Sequence, residues 1–287
     1  MKKFLIATIL LFSLLPSMNI QAATLQTQST WIWNPWSLYK EETKIIQFLQ
    51  NNNVQNVYLQ IDADIPNSIY QQFITNARKS NIEVHALDGS ADWIYTNENN
   101  KMGTFFKWLT NYQNSSNVDQ RFSGVHLDVE PYLLSGWSTD LNNTVLAYQE
   151  TIKTSVAKSK KLGLPIGLDM PFWFNTITFN NKFGTSNLAK WAINQANYTT
   201  IMAYRNTATG ANGINVLVKE EVQYAKNAKK PIQIAVETGE SAEGANISFY
   251  GKSLSYMNQE LNKVRNHYVN DDVSISIHYI ETWMSLK

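Results

Sequence analysis

Short apolar runs alternate with amphipathic stretches along most of the chain. Eight runs have the length and composition of buried strands, namely Thr30–Trp33, Val54–Ile61, Ile82–Leu87, Ser123–Val129, Leu164–Met170, Tyr198–Tyr204, Pro231–Val236 and Val273–Tyr279. The intervening segments predict seven helices at about Glu41–Asn51, Ile65–Ser80, Met102–Tyr112, Leu141–Leu162, Asn187–Gln195, Val216–Asn227 and Leu254–His267. Strands and helices that alternate in this way indicate a parallel sheet. Eight βα units in about 250 residues match the (β/α)8 barrel. We therefore predict an α/β fold, a single-domain (β/α)8 TIM barrel.

The N-terminus has the three parts of an export signal. Lys2 and Lys3 are charged, Phe4–Leu15 is apolar, and Ala22-Ala23 supplies small residues for cleavage. We expect residues 1–22 to be a signal peptide cleaved near Ala22, residues 23–287 to form the barrel, and the protein to be secreted. The apolar run is too short for a comfortable membrane span, so we expect no stable membrane anchor.

Charge and cysteine content exclude several classes of function. Cleavage of the signal peptide would leave 22 basic against 23 acidic residues, a net charge of −1. A nearly neutral protein lacks the basic surface that nucleic acids attract, so we expect no nucleic-acid partner. The chain has no cysteine, which rules out disulfides, thiolate zinc sites and a cysteine nucleophile.

Carboxylates and aromatic residues follow the ends of the predicted strands. In a parallel barrel, functional residues lie where the strands end and the βα loops begin. The residues at these positions are Trp33, Trp36, Asp62, Asp88, Asp128, Glu130, Asp169, Trp173, Tyr204, Arg205, Glu237, His278, Glu281 and Trp283. The opposite strand ends offer Thr, Asn, Lys and little else, so we expect the functional site at the C-terminal mouth of the barrel.

The strongest catalytic candidates are Asp128 and Glu130, in the segment FSGVHLDVEPY. Side chains two residues apart on a strand share a face, and His126 would lie one step deeper as a buried neighbour of Asp128. Crowded carboxylates raise the pKa of one of them, which suits acid/base chemistry. We interpret Glu130 as a proton donor tuned by Asp128; a salt-bridged rim is the structural alternative.

Two further catalytic candidates lie on later strands. Tyr204 has the same parity as Met202 and should point inward, where its hydroxyl either donates to a developing charge or bonds a neighbouring strand. Glu237 ends the seventh strand, a position that suits a nucleophile about 5–5.5 Å from the acid in a retaining glycosidase. The alternative for Glu237 is an ion pair with Arg205.

The remaining rim residues are candidates for substrate binding. Asp62, Asp88 and Asp169 could bind sugar hydroxyls or hold Asp128 and Arg205 in place. Tryptophan faces stack on sugars, which makes Trp33, Trp173 and Trp283 candidate platforms, with His278 as a further rim residue. No calcium-loop pattern and no zinc spacing occurs in the sequence, so we expect no metal and no cofactor.

The fourth strand resembles that of glycoside hydrolase family 18, the chitinase-like barrels. That family carries Asp-Gly-φ-Asp-φ-Asp-φ-Glu, where φ is apolar, and the matching stretch here is Ser123–Glu130. Gly124, Asp128, Glu130 and the apolar spacers agree, whereas Ser123 and His126 replace two aspartates. The family's strand-six Met-x-Tyr-Asp resembles Met202–Arg205, with arginine for aspartate. The segments HLDVEPY, MAYR and VETG also resemble those of uncharacterised exported bacterial barrel proteins.

The resemblance implies a division of roles among three residues. Glu130 would be the acid, Asp128 would orient a substrate N-acetyl group for attack on the anomeric carbon, and Tyr204 would hydrogen-bond that group. We therefore predict a secreted glycoside hydrolase-like enzyme, most simply a monomer, that cleaves glycosidic bonds in a polysaccharide or amino-sugar glycan. Two alternatives stay open, a non-catalytic carbohydrate-binding barrel and a metal-dependent hydrolase that uses the acidic rim.

Overall fold

A closed barrel of eight parallel strands forms the centre of the molecule. The computed structural model describes residues 28–95 and 101–287. The strands are β1 (Gln28–Ile32), β2 (Val54–Gln60), β3 (Glu83–Asp88), β4 (Gly124–Leu127), β5 (Ile166–Pro171), β6 (Tyr198–Met202), β7 (Ile232–Glu237) and β8 (Val273–His278). Each strand pairs with its neighbours in sequence, and β1 pairs with β8 to close the barrel. The predicted (β/α)8 TIM barrel is confirmed, whereas the expected signal peptide lies outside the described residues.

Seven helices of two turns or more surround the barrel in the described part of the chain. They are α1 (Leu38–Asn51), α2 (Asn67–Lys79), α3 (Lys101–Ser115), α4 (Leu141–Lys161), α5 (Leu188–Gln195), α6 (Lys219–Ala228) and α7 (Leu254–His267), with further single turns at Gly136–Thr139, Ile214–Leu217 and Ile280–Trp283. Their apolar faces pack on the outer side of the strands in one continuous core. No helix among the described residues is both long enough and apolar enough to cross a membrane.

The two faces of the barrel strands differ in character. Outward positions such as Val125, Leu127 and Ile234 belong to the core shared with the helices. Inward positions are largely polar or aromatic, and their hydrogen bonds join strands that are not neighbours in the sheet. Tyr58 on β2 donates to Gln233 on β7, a contact that can only cross the interior. The interior is therefore a polar, packed layer beneath the mouth of the barrel.

The end of β4 differs from the sequence prediction. The strand was expected to continue to Val129, but its pairing with β5 stops at Leu127. Asp128 makes one more main-chain bond, from its N–H to the carbonyl oxygen of Asp88, and Glu130 then leads into the turn Pro131–Leu133. Because proline lacks the N–H that a strand ladder needs, the chain leaves the sheet here. Asp128 and Glu130 therefore lie on the first residues of the βα loop.

A short antiparallel hairpin was not predicted. Its strands, Thr178–Asn181 and Gly184–Asn187, lie between β5 and α5. Asn181 is bonded to Gln149 of α4, which fixes the hairpin against the outer helical layer. It is therefore an addition to the barrel and leaves the strand order unchanged.

Candidate active site

The charges of four carboxylates act on the buried hydroxyl of Tyr204 at the C-terminal mouth of the barrel. Burial raises the pKa of Tyr204 well above its usual range, and the negative charges of the four acids raise it further. These acids, in decreasing order of effect, are Glu237, Asp169, Asp128 and Glu130. Asp169 and Glu237 lie on β5 and β7, and Asp128 and Glu130 follow β4, so the fold brings the four sequence-predicted acids to the same mouth of the barrel as a phenol that stays protonated.

The charges of neighbouring acids also act on Asp128. Burial raises the pKa of its carboxyl well above the usual range, and the charges of Asp169 and Glu130 raise it further. Its Oδ1 is buried and has no hydrogen-bond partner among the described residues. Burial contributes more to this shift of the Asp128 pKa than the charges of the neighbouring acids do.

Asp169 supports the site from below. It is only 4% exposed, and it accepts a hydrogen bond on Oδ2 from the indole Nε1 of Trp31 at 3.2 Å. Its Oδ1 lies 2.9 Å from Nε2 of His126, which is fully buried. So buried a carboxyl does not suit contact with a sugar hydroxyl, and its neighbours are the buried side chains of Trp31 and His126.

Glu130 is held by an aromatic group. The hydroxyl of Tyr132, two residues further on, donates a hydrogen bond to Glu130 Oε1. The ring of Tyr132 packs edge-on against Trp173, with 5.0 Å between ring centroids. Burial and the charge of Glu130 raise the pKa of Tyr132, which therefore remains a hydrogen-bond donor. Trp173, a predicted sugar platform, thus lies beside the residue that positions Glu130.

Glu237 is fixed by three donors. Its Oε1 accepts hydrogen bonds from the main-chain N–H groups of Thr238 at 2.7 Å and Gly239 at 2.5 Å. Its Oε2 lies 2.6 Å from Nδ1 of His278, whose Nε2 accepts a hydrogen bond from Trp33 Nε1 at 2.8 Å. Because Nε2 of His278 is an acceptor, its proton must be on Nδ1, from which it is donated to Glu237. The three donors hold the Glu237 carboxyl in one orientation.

Asp62 and Asp88 lie further along the rim, at the ends of β2 and β3. Asp62 accepts a hydrogen bond from the indole of Trp36 at 2.8 Å. Asp88 accepts hydrogen bonds from the Gln60 side chain at 3.2 Å and from the N–H of Gly89 at 2.8 Å, while burial raises its pKa. Both carboxyl groups are partly exposed and stay candidates for contact with a bound sugar.

Two predicted residues are directed away from the acids. Arg205 lies over the ring of Phe172, 5.3 Å from the ring centroid, and donates to the carbonyl oxygen of Tyr204. Among the described residues Arg205 pairs with no carboxylate, so the expected alternative of a Glu237–Arg205 ion pair is wrong: His278 occupies that place. Trp283 is 3% exposed and packs against Phe48 of α1, and this burial on the outer side of the barrel removes it from the substrate-binding candidates.

The polar residues inside the barrel were not predicted from the sequence. These are Tyr58, His85, Tyr198 and Gln233. A pattern for them was present in the sequence. Each lies in a predicted strand at the inward-facing parity, as His126 does on β4, and such a residue must find its partner across the barrel.

The acidic rim does not form a metal site among the described residues. No group of three or more histidine, aspartate or glutamate side chains there is placed to hold a metal ion. The acids instead contact aromatic, imidazole and main-chain donors, as described above.

No protein-family model and no curated protein matches the sequence of this chain. Solved structures do match its fold. The glycoside hydrolase domain of PgaB (BpsB) from Bordetella bronchiseptica matches with a TM-score of 0.55 at 9% identity, over 91% of this chain and 95% of that one. A chitinase from Bacteroides thetaiotaomicron has a TM-score of 0.54 at 9% identity, over 90% and 91% of the two chains.

A mutant of the GH18 chitinase from Cycas revoluta, in complex with (GlcNAc)4, is also similar. Its TM-score is 0.52 at 9% identity, over 90% of this chain and 96% of that one. The structural neighbours are thus GH18 chitinases and chitinase-like glycoside hydrolase domains. At such low identities they establish a shared barrel fold, which agrees with the architecture that the strand-four resemblance implied.

Proposed function

We propose that this protein is a glycoside hydrolase-like enzyme that cleaves glycosidic bonds in a polysaccharide or amino-sugar glycan. The observation that carries the proposal is the set of four carboxylates at the mouth of the barrel, Asp128, Glu130, Asp169 and Glu237, whose charges all act on the buried Tyr204. A glycosidase needs a proton donor for the leaving group and a second group that stabilises positive charge at the anomeric carbon. The fold shared with chitinase-like barrels supports this assignment.

In the proposed mechanism, Glu130 acts as general acid and then as general base. Tyr132, which donates to Oε1, leaves Oε2 of Glu130 as the oxygen for proton transfer. Asp128 orients an N-acetyl group of the substrate, and the protonated hydroxyl of Tyr204 donates to the same group. Glu237 has both oxygens bound already, and we assign it to keeping Tyr204 protonated by its negative charge.

The test is turnover of glycans by the Glu130→Gln variant. Reducing-sugar release from a panel of polysaccharides and amino-sugar glycans first identifies a substrate of the wild-type protein. Because the amide of this variant cannot transfer a proton, we expect kcat to fall by at least about 10²-fold, the usual contribution of general acid–base catalysis. The Glu237→Gln variant, which keeps the shape of the side chain, should retain more activity than Glu130→Gln.

Asp119→Asn is a matched control, since it makes the same carboxylate-to-amide change on an exposed turn before β4, at the far end of the barrel. It should keep full activity. Unchanged turnover by Glu130→Gln on every glycan that the wild-type protein cleaves would refute the proposed mechanism. We also propose that the protein is secreted, which the N-terminal pattern supports. Detection of the cleaved protein in the culture medium would test this proposal.

A further inference from the structure

The end of the barrel opposite the mouth carries two neighbouring cavities. The first, of about 370 Å³, lies among the ends of α2, α3 and α4 and the segment before β4. The second, of about 410 Å³, lies between the end of α4, the segment that joins α5 to β6, and the residues just before β7. Leu164, in the turn that joins α4 to β5, lines both cavities. They are therefore two depressions on either side of one turn.

Every charged residue among the described residues that line these cavities is basic. Arg78, Arg121 and Lys161 line the first cavity, and Lys160 and Lys230 line the second. We call these five residues the basic cluster. The lysines that form ion pairs in the described part of the chain lie elsewhere, namely Lys44, Lys101, Lys182, Lys226 and Lys263. The positive charge of the basic cluster is therefore available to a partner.

The two arginines are held in place without using all of their donors. Nη2 of Arg78 donates to the carbonyl oxygen of Arg121 at 2.8 Å and to the hydroxyl of Ser123 at 3.2 Å. Nε of Arg121 donates to the carbonyl oxygen of Ser116 at 3.0 Å. A guanidinium group has five N–H donors, so each arginine keeps others for an anion. A guanidinium held in this way suits a phosphate group, which it binds through two parallel hydrogen bonds.

The ends of helices explain only part of this arrangement. Basic side chains in the last turn of a helix stabilise its partial negative charge, which applies to Arg78 in α2 and to Lys160 and Lys161 in α4. Lys230 likewise donates to the carbonyl oxygen of Ala196, at the end of α5, at 2.7 Å. However, α1, α3 and α5 have no basic residue in their own last turns. The helix dipole therefore does not require the cations to gather around two cavities.

The shape and lining of the cavities favour a chain of phosphate groups as the partner. A bilayer surface is flat and would contact the rims of two depressions more than their walls. Single-stranded nucleic acids bind largely by stacking on exposed aromatic rings. Phe122, the one aromatic side chain among the described lining residues, is only 1% exposed. A polymer of phosphate groups needs neither a flat apolar surface nor a stacking ring.

The turn between the cavities provides a path from one to the other. Lys160 and Lys161 are consecutive, yet Lys160 lines the second cavity and Lys161 the first. Gly163 in the same turn is exposed and has no side chain, and a Cβ atom there would meet no atom within 4 Å. A flexible chain can therefore cross the turn while it contacts cations on both sides.

We propose that the basic cluster binds a polymer of phosphate groups, with Arg78, Arg121 and Lys161 in the first cavity and Lys160 and Lys230 in the second. The acids of the candidate active site lie at the other end of the barrel, so the nearly neutral mature chain has an uneven distribution of charge. A polymer bound at the basic cluster leaves the mouth free. This surface would thus attach the protein to a phosphate-rich polymer without blocking the site, and the proposal does not depend on the proposed function.

The experiment is calorimetric titration of the whole protein with sodium polyphosphate at several salt concentrations. Affinity for a polyanion falls with salt according to the number of phosphates that the protein neutralises. With the slope found for single-stranded nucleic acids, five contacts predict a fall of about 10²-fold between about 50 and 200 mM salt. An absence of binding at the lower salt concentration would overturn the proposal.

The double variant Lys160→Gln/Lys161→Gln tests the position of the site. Both lysines are exposed, so the substitutions do not endanger the fold. We expect weaker binding, and a slope of log affinity against log salt that is smaller by about 1.4, which corresponds to two lost contacts. Lys107→Gln/Lys252→Gln is the matched control, since it changes the net charge equally at exposed positions that line neither cavity. Equal losses in the two double variants would mean that binding follows net charge, and would overturn the proposal.

Three further probes distinguish the chemistry of the partner. Tighter binding per phosphate to vesicles of phosphatidylglycerol would overturn the proposal in favour of a membrane surface, and tighter binding to oligothymidylate would do so in favour of a nucleic acid. Polyglutamate should bind more weakly than polyphosphate, because the arginines favour phosphate geometry; equal binding would refute the assignment of phosphate. No measurement here involves a glycan, so the outcome is separate from that of the proposed glycosidase activity.

Discussion

Glu221 shows what burial does to a carboxyl that lacks partners. It lies in the first turn of α6, is 2% exposed, and neither of its carboxylate oxygens bonds to another described residue. Burial raises its pKa from 4.5 to about 7. The folded protein therefore binds this proton more tightly than the unfolded chain does. The contribution of Glu221 to stability is fully present below about pH 4.5 and is lost as the pH rises through 7.

The Glu221→Gln variant should remove this penalty. We expect the free energy of unfolding at pH 8 to exceed that of the wild-type protein by about 1–3 kcal/mol, with a much smaller difference at pH 5. Urea unfolding at the two pH values measures the change. Glu243→Gln, at an exposed loop position, is the control and should leave stability nearly unchanged at both. A variant no more stable than wild type at pH 8 would contradict this account of Glu221.

The chemical roles of the site residues depend on surroundings that the sequence shows only in part. The two-residue spacing of Asp128 and Glu130 was enough to predict that both acids lie at one mouth of a barrel. It could not predict that Asp169, from the next strand, shares the burial of Asp128. Nor could it show that Arg205 turns toward Phe172, because that contact depends on how the loop after β5 folds back.

At the scale of strands and helices, too, local patterns were predictable from the sequence and contacts between distant segments were not. The predicted helix Leu254–His267 agrees in both bounds with α7, and every predicted barrel strand is present, because apolar periodicity is a local property. The end of β4 was predicted two residues too late, since Val129 is apolar but lies beyond the pairing with β5. Contacts between opposite strands, such as that of Tyr198 with His85, require the closed barrel and were beyond the reach of periodicity.

Two neighbouring residues on the inner faces of β5 and β6 have side chains of complementary size. Gly167 leaves the space that the ring of Tyr198 fills, and the two residues pair directly in the sheet. A Gly167→Ala substitution places a methyl group inside that ring's volume, and we expect a loss of about 1–3 kcal/mol of stability from overpacking. Chemical denaturation of the variant measures the loss.

A double-mutant cycle tests whether Tyr198 is the cause. Tyr198→Ala alone should destabilise the protein by leaving a cavity, but in that background the methyl group that Gly167→Ala adds has room. The double variant should therefore be more stable than the sum of the two single effects predicts, by at least about 1 kcal/mol. Simple additivity would mean that the strain of Gly167→Ala arises elsewhere.

Closure of the barrel depends on the last segment of the chain. β8 pairs with β1, and the turn Ile280–Trp283 that follows β8 lies against the helix that follows β1. The main-chain N–H of Leu254, at the start of α7, bonds to the carbonyl oxygen of Lys287 at 2.6 Å and so ties the C-terminal residue to the outer layer. The contact of Trp283 with Phe48, 5.0 Å between ring centroids, joins the first and last βα units of the molecule.

Trp283→Ala should therefore weaken the whole molecule without changing its site. Removal of a buried tryptophan costs about 3–5 kcal/mol of unfolding free energy. Trp283→Phe should cost much less, because it keeps a ring on Phe48 and removes a buried indole N–H that has no partner among the described residues. Thermal unfolding measures the relative stability of the two variants and the wild-type protein. Glycan binding by the folded fraction of each variant should match that of the wild-type protein. A Trp283→Ala protein with normal stability and weakened glycan binding would instead return Trp283 to the substrate contacts that its place in the sequence suggested.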